Sequence, residues 1–210
     1  MIYVYAITTG RDAPPQLRGL DDAPPALVDA DGVQGVYSHH ADAASVEATP
    51  DTLWAHEAVV DALLRDGSVL PLRFGTTLEN VAALHRVLHE DHERFARLLE
   101  RVAGCVELAV RVGLPERADG ADDGRAYLTE KLAARRTADD VLGPLESFAA
   151  DTRRGTAGAE PVVKASYLVP RDDVVRFADE LRGLQSRHPE LTLSCTGPWA
   201  PYSFVGDDAL

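Results

Sequence analysis

The alternation of apolar and polar residues predicts short strands at the start of the chain. Residues 2–8 and 33–39 are rich in β-branched and aromatic side chains and predict two strands, with a weak third at 44–48. Residues 9–32 hold four prolines and three glycines, a density that is typical of a loop. The pattern therefore predicts a small sheet whose first two strands are separated by a long loop.

Helical spacing of apolar residues begins after this sheet. Residues 53–65 place apolar side chains on one face and predict a helix that Thr52 caps. Residues 77–102 form the longest periodic run, with apolar residues at steps of three, four and seven. Such spacing gives a helix one broad apolar stripe, and Asp91 is the single break in it. We therefore expect one long helix over 77–102.

The second half of the chain alternates strands with helices. The predicted order is strand 105–112, helix 127–151, strand 162–169, helix 172–186 and strand 191–195. This order is similar to a ferredoxin-like βαββαβ unit with one hairpin strand missing or unrecognised. We expect an α+β protein with an N-terminal mixed α/β domain at 1–103, which has a small antiparallel sheet, and a modified ferredoxin-like domain at 104–210. The loop at 113–124 is the competing boundary.

Composition and charge narrow the classes of function. The 210 residues hold 21 Lys and Arg against 34 Asp and Glu, a formal net charge of −13, and 45% of them are apolar. This is a globular balance, and its acidity disfavours nucleic acid as a partner. No run approaches the roughly 18 apolar residues of a membrane helix, and the first residues lack the basic leader of a secretory signal. Cys105 and Cys195 alone make no disulfide framework, so we expect a cytoplasmic protein.

Three histidines on the predicted long helix are the candidates for a metal site. His85, His89 and His92 lie at i, i+4 and i+7, and two imidazoles one turn apart suit a metal ion. Three ligands on one straight helix rarely close a tetrahedron, however, and no fourth ligand is evident in the sequence. We therefore expect solvated histidines and no metal.

Two further pairs of adjacent residues, each with at least one histidine, are candidates for acid–base chemistry. His39 and His40 are adjacent on a predicted strand, where their side chains point to opposite faces. His56 and Glu57 lie near a helix start, where a Glu suits the helix dipole. Neither a phosphate-binding glycine loop nor Gly-x-Ser-x-Gly occurs. We expect no catalytic residue, no cofactor and no enzymatic activity.

Residues 68–75 predict a strand in which Pro71 indicates an edge or bulge position. Arg73 is the lone charged residue of this apolar segment, and Phe74 follows it. Arg73 has a structural interpretation, as an edge residue paired with a carboxylate. Arg73 and Phe74 are also candidate motif or partner-contact residues.

The chain closes on an aromatic segment at 196–205 that contains Trp199, Tyr202 and Phe204. Aromatic side chains gain free energy by burial, so we expect this segment to dock on the body of the protein. On that basis, replacing Trp199 by alanine would cost about 3 kcal/mol. The same three residues are candidates for a partner surface.

Six short segments, spread over nearly the whole chain, carry a resemblance to a known family. They are Tyr3–Ile7, His56–Val60, Val69–Thr76, Gly124–Leu128, Ala165–Val169 and Thr196–Phe204. The most specific are Pro-Leu-Arg-Phe-Gly-Thr in the third and Gly-Pro-Trp-Ala-Pro-Tyr-Ser-Phe in the last. In this order they make the sequence similar to the gas vesicle accessory family GvpL/GvpF. The loop from Gly113 to Asp123 departs from that pattern.

The resemblance implies an assembly protein of gas-filled buoyancy vesicles. Such a protein is a minor or accessory component that binds the small hydrophobic shell protein GvpA and other accessory proteins, in the cytoplasm or on the vesicle. The resemblance also implies two domains, the second a modified ferredoxin fold, and no enzymatic residues. Because net charge opposes association, a soluble acidic partner would keep apolar shell subunits apart or support their nucleation.

Two other classes of function stay open on the sequence. One is a ferredoxin-like module that binds a ligand and regulates, which a specific thermal shift with a small molecule would favour. The other is a metal-dependent enzyme that uses His85, His89 and His92, which metal analysis of the purified protein would detect.

Overall fold

The protein is an α+β protein with two antiparallel sheets. The computed structural model describes residues 1–40, 46–113, 136, 139–155 and 162–206. Its contacts divide the chain into two compact units, Met1–Cys105 with Trp199–Leu210 and Val106–Pro198. Each unit contains one of the two sheets.

The first unit is built on a five-stranded sheet. Its strands are β1 (Ile2–Thr9), β2 (Ala26–Ala30), β3 (Val33–His39), β4 (Val69–Pro71) and β5 (Thr77–Leu78). The order is β2-β3-β1-β4, β5 also pairs with β1, and every pair is antiparallel. Residues 2–8 of β1 are all buried, because helices contact this central strand. Its nearly continuous apolar run is therefore that of a strand covered on both faces.

Three helices pack on this sheet, namely α1 (Pro50–Asp66), α2 (Val81–Glu90) and α3 (His92–Val102). α1 and α3 contact β1, and α2 contacts β2 and β3. The N-cap of α1 is Thr49, so the prediction of Thr52 as the cap was wrong. The Thr49 hydroxyl accepts the Thr52 N–H at 3.2 Å, and the Thr52 hydroxyl accepts the Thr49 N–H at 2.9 Å. This reciprocal capping box places the cap, and with it the start of the helix, three residues earlier than predicted.

The single helix predicted over 77–102 is two helices. Asp91 ends α2 and precedes α3 with a backbone ψ of 17°, so the one polar break in the apolar stripe is also a break in the helix. The run starts at Val81 because Asn80 caps it, with Asn80 Oδ1 accepting the Ala83 N–H at 2.9 Å. Thr77 and Leu78 pair with β1 instead.

Two other predictions for the first unit need correction. Residues 9–32 are not one loop, because Ala26–Ala30 forms β2 and pairs with β3. The strand predicted over 68–75 is only Val69–Pro71, and Pro71 lies on an edge of the path as predicted. Of the weak strand predicted at 44–48, residues 44 and 45 lie outside the described residues, and 46–48 form no strand.

The second unit has the ferredoxin-like arrangement. Its elements are β6 (Cys105–Gly113), β7 (Asp151–Arg154), β8 (Val162–Pro170), α4 (Val174–Arg187) and β9 (Thr192–Trp199). The sheet order is β7-β8-β6-β9. The strand missing from the sequence pattern is β7, which forms the antiparallel hairpin partner of β8. With it, the unit has the strand complement of βαββαβ.

The helix predicted over 127–151 was wrong at its C-terminal end. Residues 139–142 are helical, Gly143–Phe148 is a 3₁₀ helix, and Asp151 already pairs with Leu168 of the sheet. Residues 127–135 of the predicted helix lie outside the described residues, as does the predicted loop beyond Gly113.

The core of the second unit lies between its sheet and α4. Tyr167 of β8 and Phe177 of α4 meet edge to face at 5.1 Å between ring centroids. The Tyr167 hydroxyl donates to the carbonyl oxygen of Leu142 at 3.3 Å. Around this pair, buried aliphatic side chains come from β6, β8 and α4, as the alternating pattern of the strands predicts.

The contact-defined units differ from the predicted domains 1–103 and 104–210 at the end of the chain. Residues from Trp199 onward group with the first unit and not with the second. Whether either part folds alone is a separate property, so the domain boundaries stay a prediction.

Candidate functional site

Four of the segments that carry the family resemblance meet in the first unit, around His56. Tyr3 comes from β1, His56 and Glu57 from α1, Gly75 from the turn after β4, and Tyr202 from a terminal helical turn, α5 (Tyr202–Val205). The Tyr3 hydroxyl lies 2.8 Å from His56 Nδ1, and His56 Nε2 lies 3.1 Å from the Tyr202 hydroxyl. The Tyr202 hydroxyl donates to Glu57 Oε1 at 2.9 Å. We call these four side chains the His56 network.

The donors and acceptors of the His56 network form one consistent chain. Because Tyr202 donates its proton to Glu57, its oxygen accepts from His56 Nε2–H. The other imidazole nitrogen, Nδ1, is then the acceptor for the Tyr3 hydroxyl. The Tyr3 oxygen accepts the Gly75 N–H at 3.1 Å. A neutral His56 therefore satisfies every one of these hydrogen bonds.

Burial fixes the charge state of this network. His56 is 1% exposed, and burial lowers its pKa to about 4, which the backbone carbonyl of Leu72 only partly opposes. Burial also raises the pKa of both Tyr3 and Tyr202 above the usual range for a tyrosine. The pKa of Glu57 is raised by burial, against the hydrogen bond from Tyr202. At neutral pH, His56, Tyr3 and Tyr202 are thus neutral, and Glu57 is the acidic member of the network.

The turn at 73–76 explains the glycine of the Pro-Leu-Arg-Phe-Gly-Thr segment. The Thr76 N–H donates to the Arg73 carbonyl oxygen at 3.2 Å, and the Thr76 hydroxyl donates to the same oxygen at 2.7 Å. Gly75, in the third position, has a φ of +89°, as in turns that favour glycine there. This conformation directs the Gly75 N–H to Tyr3.

Replacing Gly75 by alanine is expected to lower the free energy of unfolding by about 1–2 kcal/mol, because a side chain disfavours positive φ. Gly67 is the matched control, since its φ is 169° and a Cβ there would meet nothing within 4 Å. Urea unfolding of both variants measures the difference. Equal losses at the two positions would contradict this account of the turn.

A solvent-facing groove lies beside the His56 network. Its exposed apolar side chains are Leu53 and Trp54 of α1, which are 42% and 73% exposed, and Trp199, which is 49% exposed. The groove has a volume of about 550 Å³ and is lined by Pro50, Leu53, Trp54, Glu57, Trp199 and Tyr202. We call this surface the aromatic groove. Large apolar side chains grouped at a surface are typical of interaction sites.

The structure brings only two of the five predicted site residues to the aromatic groove. Tyr202 and Trp199 line the aromatic groove. Phe74 is half-buried beside the network, with its ring centroid 5.9 Å from that of His56. Arg73 is exposed in the turn, and Phe204 is buried in the core at 1% exposure. The terminal segment docks as expected through Phe204 and Tyr202, but Trp199 remains half-exposed.

Sequence reasoning missed the residues at the centre of this site. In the sequence, Tyr3 stands out only within a matched segment, and His56 and Glu57 only as a pair without a role. No pattern distinguishes Leu53 or Trp54. The available signal was the presence of Tyr3, His56 and Tyr202 in three separate segments of the same family pattern.

The three histidines considered for a metal do not share one straight helix. His85 and His89 lie on α2 with rings stacked at 6.5 Å, whereas His92 begins α3 beyond the break. His89 Nδ1 lies 2.9 Å from Asp31 Oδ2, and His92 Nε2 lies 3.0 Å from the Asp31 carbonyl oxygen. These contacts fix the turn between β2 and β3.

Within the described ranges, no helix combines the length and apolar character needed to cross a bilayer.

Comparisons with known proteins agree on one family. The family model described as gas vesicle synthesis protein GvpL/GvpF matches residues 1–206. The chain is 31% identical to gas vesicle protein L of Streptomyces sp. (strain CB03234), over 97% of this chain and 92% of that protein. It is 30% identical to gas vesicle protein F of the same strain, over 97% and 98% respectively. The crystal structure of GvpF from Anabaena sp. PCC7120 has the same fold, with a TM-score of 0.80 at 20% identity over 98% of this chain and 95% of that one.

Proposed function

The chain belongs to the GvpL/GvpF family of gas vesicle synthesis proteins, and from this membership we propose that it acts in vesicle assembly by binding the hydrophobic shell protein GvpA. The aromatic groove of the first unit is the surface that holds the shell protein. Other accessory proteins of the vesicle are further partners, and binding takes place in the cytoplasm and on the growing vesicle.

The exposure of Trp54 and Trp199 is the observation that carries this proposal. Both side chains leave a large apolar area in water, and burial of apolar surface is the main driving force of protein association. Aromatic residues are also enriched in protein interfaces. A partner that is itself apolar would cover these rings and hide its own surface in the same step.

The acidity of the chain supports a role in keeping shell subunits apart. With a formal net charge of −13, complexes between this protein and a shell subunit would repel one another, since net charge of one sign opposes association. The apolar groove supplies the attraction to the subunit, and the acidic remainder of the surface supplies the repulsion between complexes.

The His56 network favours a positioning role over a catalytic one. Both nitrogens of His56 are engaged by tyrosine hydroxyls, and a buried neutral imidazole whose pKa is about 4 is a weak base at neutral pH. The network joins α1, β1 and the terminal segment. We therefore propose that it holds Tyr202 and Glu57 in place beneath the aromatic groove.

Co-expression with the cognate shell protein tests this function. We expect the shell protein to move from the pellet to the soluble fraction in the presence of this chain, because its apolar surface is covered. The variant Trp54→Gln should retain less soluble shell protein, and Val175→Gln, which removes an exposed apolar residue of α4 in the second unit, is the matched control. A shell protein that stays in the pellet with the wild-type chain would contradict the proposal.

A further inference from the structure

Glu57 is an acidic group with an unusual environment. It lines the aromatic groove, and its Oε1 accepts the Tyr202 hydroxyl. The neighbouring acids Asp61 and Asp66 have Arg65 and Arg11 as ion-pair partners. In the part of the chain that the structure describes, no cation lies within ion-pair distance of Glu57. A half-buried carboxylate without a cation is unfavourable, because burial removes the water that would stabilise its charge.

The groove around this carboxylate has the composition of a cation-binding site. Trp54, Trp199 and Tyr202 supply three aromatic side chains to its lining. The faces of aromatic rings attract Lys and Arg side chains, and tryptophan does so most strongly. The Tyr202 hydroxyl holds one oxygen of the Glu57 carboxylate, and the second oxygen can accept a hydrogen bond from a cation.

We infer that the aromatic groove binds an apolar segment of its partner that carries one basic side chain, Lys or Arg, with Glu57 as the counter-charge. This inference rests on the proposed function and names the recognition chemistry of the same surface. Glu57 is a specificity-determining residue, whereas Trp54 and Trp199 supply the contact area.

Charge complementarity selects this occupant over the alternatives. A segment without charge would cover Glu57 and leave its carboxylate buried and unpaired, which costs free energy. An anionic segment or a phosphate-bearing lipid would meet both Glu57 and the overall charge of −13. A free cation without an apolar segment would leave the exposed faces of Trp54 and Trp199 in water.

The electrostatics around Glu57 also favour a basic side chain in the groove. Burial raises the pKa of Glu57, and the nearby Asp61 carboxylate raises it further. A bound Lys or Arg would reverse both effects by stabilising the charged form. The groove therefore gains more from a basic partner than from a neutral one of the same shape.

The test uses two synthetic helical peptides that are identical, rich in Leu and Ala, and differ only in a central Arg or its neutral isostere citrulline. Binding to the full chain is followed by tryptophan fluorescence. The wild-type protein should bind the Arg peptide about tenfold more tightly than the citrulline peptide, the size expected for a hydrogen bond to a charged group. Added salt should reduce this preference.

Two variants assign the preference to Glu57. In Glu57→Gln the two peptides should bind with equal affinity, because the charge is lost while an acceptor for Tyr202 remains. Glu79→Gln is the matched control, since it removes an exposed carboxylate of the same unit, and the tenfold preference should persist there. Melting temperatures of both variants verify that each is folded.

The outcomes separate this inference from the proposed function. Equal affinity of the wild-type protein for the two peptides, or the absence of binding to either, would overturn the inference without any variant. If the two peptides bind equally and the shell protein is still held in the soluble fraction, the proposed function stands and the recognition is purely apolar. If the preference persists in Glu57→Gln, another group is the counter-charge and the assignment of Glu57 is wrong.

Discussion

Replacing Phe204 by alanine is expected to lower the free energy of unfolding by about 3–5 kcal/mol, the usual loss for a fully buried phenylalanine. The Phe204 side chain is 1% exposed in the first unit, and α5, which carries it, contacts β4. The loss therefore includes the apolar area of the ring and the cavity left behind. Urea unfolding of the full chain measures it.

Trp199→Ala is the matched comparison within the same segment. Because Trp199 is 49% exposed, its removal should cost about 1 kcal/mol, less than the roughly 3 kcal/mol expected for a buried aromatic. The structure thus moves the large stability effect from Trp199, where the sequence placed it, to Phe204. A larger loss at Trp199 than at Phe204 would contradict this placement of the terminal segment.

Acidification is expected to destabilise the protein through His56. Its pKa falls from 6.5 to about 4 on folding, so the unfolded chain binds more protons than the folded one between these values. The stability that the neutral imidazole contributes is present above pH 6.5 and is lost as the pH falls toward 4. This single residue should account for a loss of about 3 kcal/mol over that window.

The variant His56→Gln isolates this effect from the other titrating groups. Tyr3 and Tyr202 face the imidazole and stay neutral in this range, because burial raises the pKa of each. Glu57, which contacts Tyr202, titrates in both proteins. The difference between the two stability profiles from pH 7 to pH 4 should therefore have the slope of one proton at its steepest. Parallel profiles would show that His56 does not titrate as the structure requires.

Much of the sheet architecture follows from local sequence pattern. The apolar runs at the start of the chain and at 33–39, 105–112 and 162–169 predict strands that the structure contains. In contrast, β2 was missed because it lies among prolines and glycines, which suggest a loop. β7 was missed because Asp151–Arg154 is wholly polar, and its pairing with β8 defines it as a strand.

The candidate site depended on tertiary structure. His56 and Tyr202 are 146 positions apart in the sequence, and no periodicity relates a helix start to the end of the chain. Helical spacing does place Trp54 away from the buried face of α1, but only the fold brings Trp199 to the aromatic groove beside it. The helix break at Asp91, in contrast, has a local sign in the sequence, because Asp91 is the one polar residue in the apolar stripe.

The affinity of purified shell protein for the variant Trp54→Gln/Trp199→Gln tests most directly whether the aromatic groove is the binding surface. Trp54 is exposed and Trp199 is half-exposed, so the variant should still fold, with a loss of about 1 kcal/mol that comes mainly from Trp199. If these rings are central to the interface, its affinity should fall about 30-fold or more relative to the wild-type chain, while Val175→Gln binds like the wild type. An unchanged affinity in the double variant would contradict the account.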